Sequence, residues 1–171
     1  MPETMEDYKQ RILSYQAGQD PLKLLDSAPR RLQKLLAGVP RRTLSRRPAP
    51  GKWSIIEIVA HLAEDELVGA YRLRRILAEP GSAIQAFDQD KWAKAGQYAK
   101  HDIQKSFEMY RALREANLRL LTSLDRAQWR HHGVHEERGV ETIRDIAKYY
   151  AGHDINHFLQ IEAALGRKPK K

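Results

Sequence analysis

Residues 141–165 read ETIRDIAKYYAGHDINHFLQIEAAL. Within them Ile146, Tyr150, His153, His157 and Ile161 recur at spacings of four, three, four and four, which is one stripe of an amphipathic helix. Thr142 and Asp145 form a box-like start, with Asp in the place Glu usually takes, and Gly166 supplies a stop. The spacing therefore predicts a long helix from 143 to about 165. Residues four apart share a face, so both imidazoles lie on the core-facing stripe. A buried imidazole needs partners for its ring nitrogens. The pair thus requires either a shared ligand or two separate sets of hydrogen bonds.

The same period runs through most of the chain, and strand-like alternation is nearly absent. A short first helix is expected over 4–17, ended near Gly18. Asp20 caps and Pro21 opens a second helix carrying Leu24, Leu25, Leu32, Leu35 and Leu36 to about residue 37. Pro29, in its middle, predicts a kink or a break. The stretch GVPRRTLSRRPAPGK, 38–52, reads as a loop on its three prolines and two glycines. Ser54 and Glu57 make a capping box for a helix to about Ala78, with a core stripe of Ile55, Ile58, Val59, Leu62, Leu73, Ile76 and Leu77. Residues 79–101 form a long connection anchored by Phe87 and Trp92, with room for a short helical turn. Another helix spans about 102–124, and 125–141 reads as a loop. Four long amphipathic helices imply an all-α four-helix bundle, one domain over 1–171, in which the 79–101 connection permits a crossover between the second and third long helices.

The length, 171 residues, suits one sizeable core, and 42% hydrophobic with 30% charged residues is globular composition. No apolar run approaches the roughly 18 residues of a membrane span. The opening MPETMEDYKQ is polar and acidic, unlike a secretory signal, so a cytoplasmic location is expected. There are no cysteines, which excludes disulfides, a thiolate nucleophile and every cysteine-based metal site. The net charge of +8 gathers at Arg41, Arg42, Arg46, Arg47 and Lys52 and in the tail GRKPKK, 166–171. One reading is attraction to an anionic partner such as nucleic acid; the other is a solvated loop and a frayed end. No aromatic-rich binding motif accompanies the cluster, so no specific nucleic-acid partner is expected.

Two histidines make half a metal site, whereas a catalytic zinc-type site usually takes three protein ligands and leaves a position open. Of the other histidines, His131, His132 and His135 share a loop and His101 precedes a helix. His61, in IVAHLAEDE, falls one turn after Ile58 at the edge of its helix's core stripe and can project toward the last helix. Three imidazoles from two helices suit zinc, nickel or iron. Spacing alone equally fits structural histidines.

The segments PGKWSIIEIVAHLAEDE (50–66), FDQDKWAKAGQY (87–98) and GVHEERGVETIRDIAKYYAGHDINHFLQIE (133–162), in that order, resemble the DinB/YfiT-like superfamily. The resemblance runs from about residue 20 to 165. The family pattern is one histidine on the second helix and an H-x-x-x-H pair on the fourth, matched here by His61, His153 and His157. The resemblance implies a four-helix-bundle metalloenzyme, with bacillithiol- or mycothiol-dependent S-transferases, a mycothiol-dependent maleylpyruvate isomerase and metal-dependent hydrolases among its relatives, and homodimers common.

A metal held by three histidines can acidify water for hydrolysis, or deprotonate a thiol cosubstrate that supplies the sulfur this chain lacks. The resemblance favours transfer, with a low-molecular-weight thiol as partner of a small-molecule substrate. Asp65, one turn after His61, and Glu66, on the apolar stripe, are candidates to orient ligands or move protons. The other reading of Glu66 is a buried ion pair with Arg114, which lies on its own helix's core stripe. Asp154 has a loop-holding reading, and Trp53 and Trp92 read as core or cap residues. The HEERG loop, His135 to Gly139, fits the family pattern with no assigned role. A non-catalytic bundle that binds metal, ligand or nucleic acid is the alternative from outside enzymology.

Overall fold

The computed structural model describes residues 3–167, so most of the basic tail lies outside the described residues. The helices are α1 (Met5–Gln16), α2 (Pro21–Leu36), α3 (Arg41–Leu44), α4 (Ile55–Ala78), α5 (Gln89–Ala95), α6 (Ile103–Ser123) and α7 (Ile143–Ala164). Strands β1 (Ala83–Ile84), β2 (His132–His135) and β3 (Gly139–Thr142) make a small sheet. The long helices begin where side chains satisfy their first free N–H groups. Ser54 with Glu57 and Thr142 with Asp145 form full capping boxes, and Asp20 and Asp102 cap α2 and α6.

Four helices close a ring in which α4 packs on α6 and α7, and α2 packs on the same two. Their apolar stripes meet in two layers. One holds Leu32, Ile55, Ile58, Tyr110, Phe158 and Ile161; the other holds Leu25, Leu73, Ile76, Leu121, Ile143 and Ile146. Each fully buried aliphatic side chain contributes about 1.5–3 kcal/mol by leaving water. The layers also fix direction. Early residues of α4 and α6 share the first layer with late residues of α2 and α7, so α4 and α6 are parallel and the other two run against them. The chain between Ala78 and Ile103 therefore returns along the bundle, which is the crossover. The short α1 lies on α7 at Gly152, where a Cβ would stand 2.1 Å from the Ile12 carbonyl oxygen.

The structure departs from the sequence reading in four places. Helix α2 runs unbroken through Pro29. Proline removes one N–H and leaves the carbonyl four residues earlier, that of Leu25, without its helical partner; Arg114 Nη1 donates to that oxygen at 3.2 Å. The expected loop 38–52 contains the turn of helix α3, held by the buried Leu44. The connection 79–101 carries the short helical segment expected, as α5 and a 3₁₀ turn at Tyr98–Lys100, and also the unexpected strand β1. Its Phe87 and Trp92 pack on each other, ring centroids 4.8 Å apart, but Trp92 stays 38% exposed. Finally, 125–141 is not simply loop: β2 and β3 pair antiparallel, His135 opposite Gly139, and β1 lies parallel to β2. Strands of two to four residues are too short to display alternation, and the φ of +72° at Gly139 makes the tight turn possible. Among the described residues no helix is long and apolar enough to cross a membrane.

Candidate metal centre

Adjacent, antiparallel α4 and α7 bring His61, His153 and His157 together, all buried. The i, i+4 spacing stacks the α7 pair, and His61 enters from the facing stripe. His153 Nε2 lies 3.3 Å from His61 Nε2 and 3.1 Å from His157 Nε2. Tetrahedral nitrogens about 2.05 Å from one zinc-like ion stand about 3.3 Å apart, so the cluster has the size of a three-ligand site.

The outer ring nitrogens set the tautomers. His157 Nδ1 donates to Gln160 Oε1 at 3.0 Å, and His153 Nδ1 faces Asp65 Oδ2 at 3.4 Å. With protons on Nδ1, both Nε2 atoms present lone pairs to each other, which is repulsive unless a cation sits between them. Among the described residues, His61 Nδ1 is buried with no hydrogen-bond partner. Burial, and then the neighbouring imidazoles, hold all three pKa values well below the usual histidine range. The rings are therefore neutral at pH 7, as metal ligation requires. The donor set and geometry fit a divalent ion.

His61 and His153 form part of the wall of a cleft of about 520 Å3, which Asp65, Arg72, Arg138 and Tyr149 also line, while His157 faces a neighbouring cavity beside Trp53 and Gln160. Asp65 is buried, and desolvation raises its carboxyl to about 7. Tyr8 of α1 and residues 86–90 of the crossover supply other walls. Trp53, just ahead of the α4 cap, places its ring 4.9 Å from His61 and stacked on His157 at 6.5 Å.

Glu66 faces elsewhere. Arg114 Nη2 donates to its Oε1 at 2.9 Å and Asn117 to its Oε2 at 3.1 Å, so the ion-pair reading describes its surroundings. Arg114 also reaches Asp154 Oδ2 at 2.6 Å, and Tyr110 donates to the same oxygen at 3.0 Å. Asp154 thus anchors α7 one residue from His153 rather than holding a loop. His101, His131 and His132 take no part in the cluster.

Sequence reasoning missed two arginines and underused a histidine. Arg72 lies on the buried side of α4, eleven residues after His61, a placement its helical phase could have signalled. Arg138 of the HEERG turn grips Glu141 with Nε at 2.7 Å and Nη2 at 2.8 Å, under the Tyr149 ring. His135 of the same turn is buried and lines the cleft.

Comparison with known proteins places this architecture. A protein from Halalkalibacterium halodurans named "putative metal-dependent hydrolase" is 23% identical over 146 residues, 85% of each chain. One of the same name from Oceanobacillus iheyensis is 26% identical over 144 residues, 84% of this chain and 83% of its own. The fold matches YfiT from Bacillus subtilis, described as "a probable metal-dependent hydrolase with an unusual four-helix bundle topology", with a TM-score of 0.79, 20% identity, and 86% and 87% of the two chains covered. The model of the DinB superfamily matches residues 24–161, most of the bundle and all three histidines, and the chain belongs to that superfamily.

Proposed function

We propose that the protein is a metal-dependent hydrolase whose ion is held by His61, His153 and His157, with zinc or nickel favoured by the all-imidazole donor set and iron a third choice. The observation that carries this reading is the convergence of the Nε2 atoms of three neutral imidazoles, two of which, His61 and His153, reach the wall of a cleft large enough for a small molecule. A divalent ion bound there supplies Lewis acidity, which makes water a nucleophile near pH 7 and polarises a carbonyl. The chain's own groups do the rest. Asp65 steadies the His153 ring at Nδ1 and presents its carboxyl to the cleft, where it can pass a proton to the leaving group. Tyr8 and Tyr149 supply aromatic wall to the cleft. Glu66, fully engaged by Arg114 and Asn117, has no part in the chemistry. The names of the relatives support the same reaction class.

Transfer of a low-molecular-weight thiol to an electrophile is the second reading. It draws on the same ion and on the room in the cleft for a cosubstrate. Elemental analysis of untagged protein identifies the metal. The loaded protein is then assayed twice, for ester and amide cleavage without thiol and for thiol conjugation. Cleavage that needs no thiol and is lost in His153→Ala supports hydrolysis; activity only with thiol replaces it by transfer. Inactivity in both, with metal confirmed bound, moves the protein to non-catalytic binding.

A further inference from the structure

The Nδ1 atom of His135 accepts backbone N–H groups from Glu137 at 3.1 Å and Arg138 at 3.3 Å. Both donors are fixed by the turn, so Nδ1 carries a lone pair and the ring proton of the neutral imidazole sits on Nε2. Burial and the flanking guanidiniums lower the His135 pKa to about 4, so the ring is neutral at pH 7. The Nε2–H then meets Arg72 Nη2 at 3.4 Å. Two donors face each other there, with no acceptor between them.

Arg72 deepens the anomaly. It is 6% exposed, and Nη2 spends one hydrogen on the Gln85 carbonyl oxygen at 2.7 Å. Among the described residues it makes no ion pair within 4 Å, in contrast to Arg114 and Arg138. The Arg72 charge is felt by Asp65 without a contact between them, and a buried guanidinium that lacks a contacting counter-ion is costly unless an anion completes it. Both Arg72 and His135 line the cleft that His61 and His153 also line.

We propose that Arg72 and the His135 Nε2–H form a carboxylate subsite in the cleft wall, and that the substrate of the hydrolase reading, on which this rests, is a molecule bearing a carboxylate. One guanidinium edge and one N–H match a planar monoanion. A phosphate dianion would need further donors, and Arg138, the other arginine lining the cleft, is already bound to Glu141. Arg72 follows Asp65 by seven residues, about 10 Å of helix rise. It follows the ligand His61 by eleven residues, about three turns, so the carboxylate docks well away from the ion, as a remote handle that positions the reacting bond. The Phe87 ring, 5.7 Å from the Arg72 guanidinium carbon, and Tyr149 offer apolar contact to the body between.

The test uses the full chain stripped of metal, so that the probe cannot bind an ion instead. The probes are 3-phenylpropionate and its neutral amide, titrated at pH 7 by calorimetry and by NMR of the His135 Nε2–H. The acid should bind at least tenfold more tightly than the amide and move the Nε2–H resonance downfield. The preference should vanish in Arg72→Met and shrink in His135→Asn, which keeps an acceptor for the turn but lacks the Nε2–H. Equal binding of acid and amide, or a preference that survives Arg72→Met, overturns the proposal. Should Arg72→Met not fold, the unaltered protein's preference and the resonance shift decide it. Absence of turnover in the metal-loaded protein defeats the hydrolase reading but leaves this binding result standing.

Discussion

Arg114 supplies to the Leu25 carbonyl the hydrogen bond that Pro29 removes from α2. The same guanidinium pairs with both Glu66 and Asp154, so one side chain on α6 ties together α2, α4 and α7. Arg114→Leu should cost about 3–5 kcal/mol at pH 7, since it strands two buried carboxylates as well as a carbonyl. Adding Pro29→Ala should recover about 1 kcal/mol, because the new backbone N–H would donate to the Leu25 carbonyl within the helix. Urea midpoints of the two single variants and the double measure this. An additive pair would show that the Leu25 contact carries no energy.

Metal affinity separates the triad from the loop histidines. His157→Ala should weaken binding on the order of 100-fold or more, and Asp65→Asn, which removes the carboxylate charge facing His153, by about 10- to 100-fold. His131→Ala and His132→Ala should match the unaltered chain. Calorimetric titration of zinc into chelator-treated protein reads all four. A loop variant as weak as His157→Ala would transfer the site to the loop cluster.

His135 makes stability fall in acid. Unfolded, it takes up a proton below its ordinary value of 6.5; folded, it resists until about 4. The unfolded state therefore binds more protons across that window, so stability declines as pH drops through it. The triad histidines act in the same direction, and Asp65, raised to about 7, in the opposite one. Both contributions are common to the unaltered chain and His135→Asn. Counting a fall as positive, the change in urea midpoint from pH 7 to pH 4.5 should be less positive in the variant.

Gly152→Ala should push α1 off α7. The Ile12 carbonyl oxygen fills the place of the new methyl, and neither backbone can yield without shifting. A loss of about 1–3 kcal/mol is expected. Because Tyr8 of α1 walls the cleft, amide exchange in α1 should rise with it. Unchanged protection of residues 8–12 would count against the contact.

What was legible in the sequence follows from period and spacing. The caps at Ser54 and Thr142, the stripe through His153 and His157, and the phase of His61 on α4 are all local patterns. The hairpin was not, because four residues cannot show a period and its buried members, Gly133, His135 and Glu141, do not look like a strand core. The continuity of α2 was not, because the donor that replaces the Pro29 N–H stands 89 residues from Leu25. Arg72 and Arg138 drew no attention, since surface arginines are common and only the cleft distinguishes these two. Glu66 and Asp65 are neighbours in sequence, yet the turn of the helix sends one to Arg114 and the other to the cleft.

The separation of the ligands along the chain has a consequence for biosynthesis. His61 and His153 meet although they stand 92 positions apart, while His157 lies on the last helix. A ribosome must release almost the whole bundle before the three nitrogens can meet, and a nascent chain offers only one of them for most of its synthesis. Ion capture is thus coupled to emergence of the final bundle helix, and the loop-closure entropy is met by helix packing before any coordination bond can form.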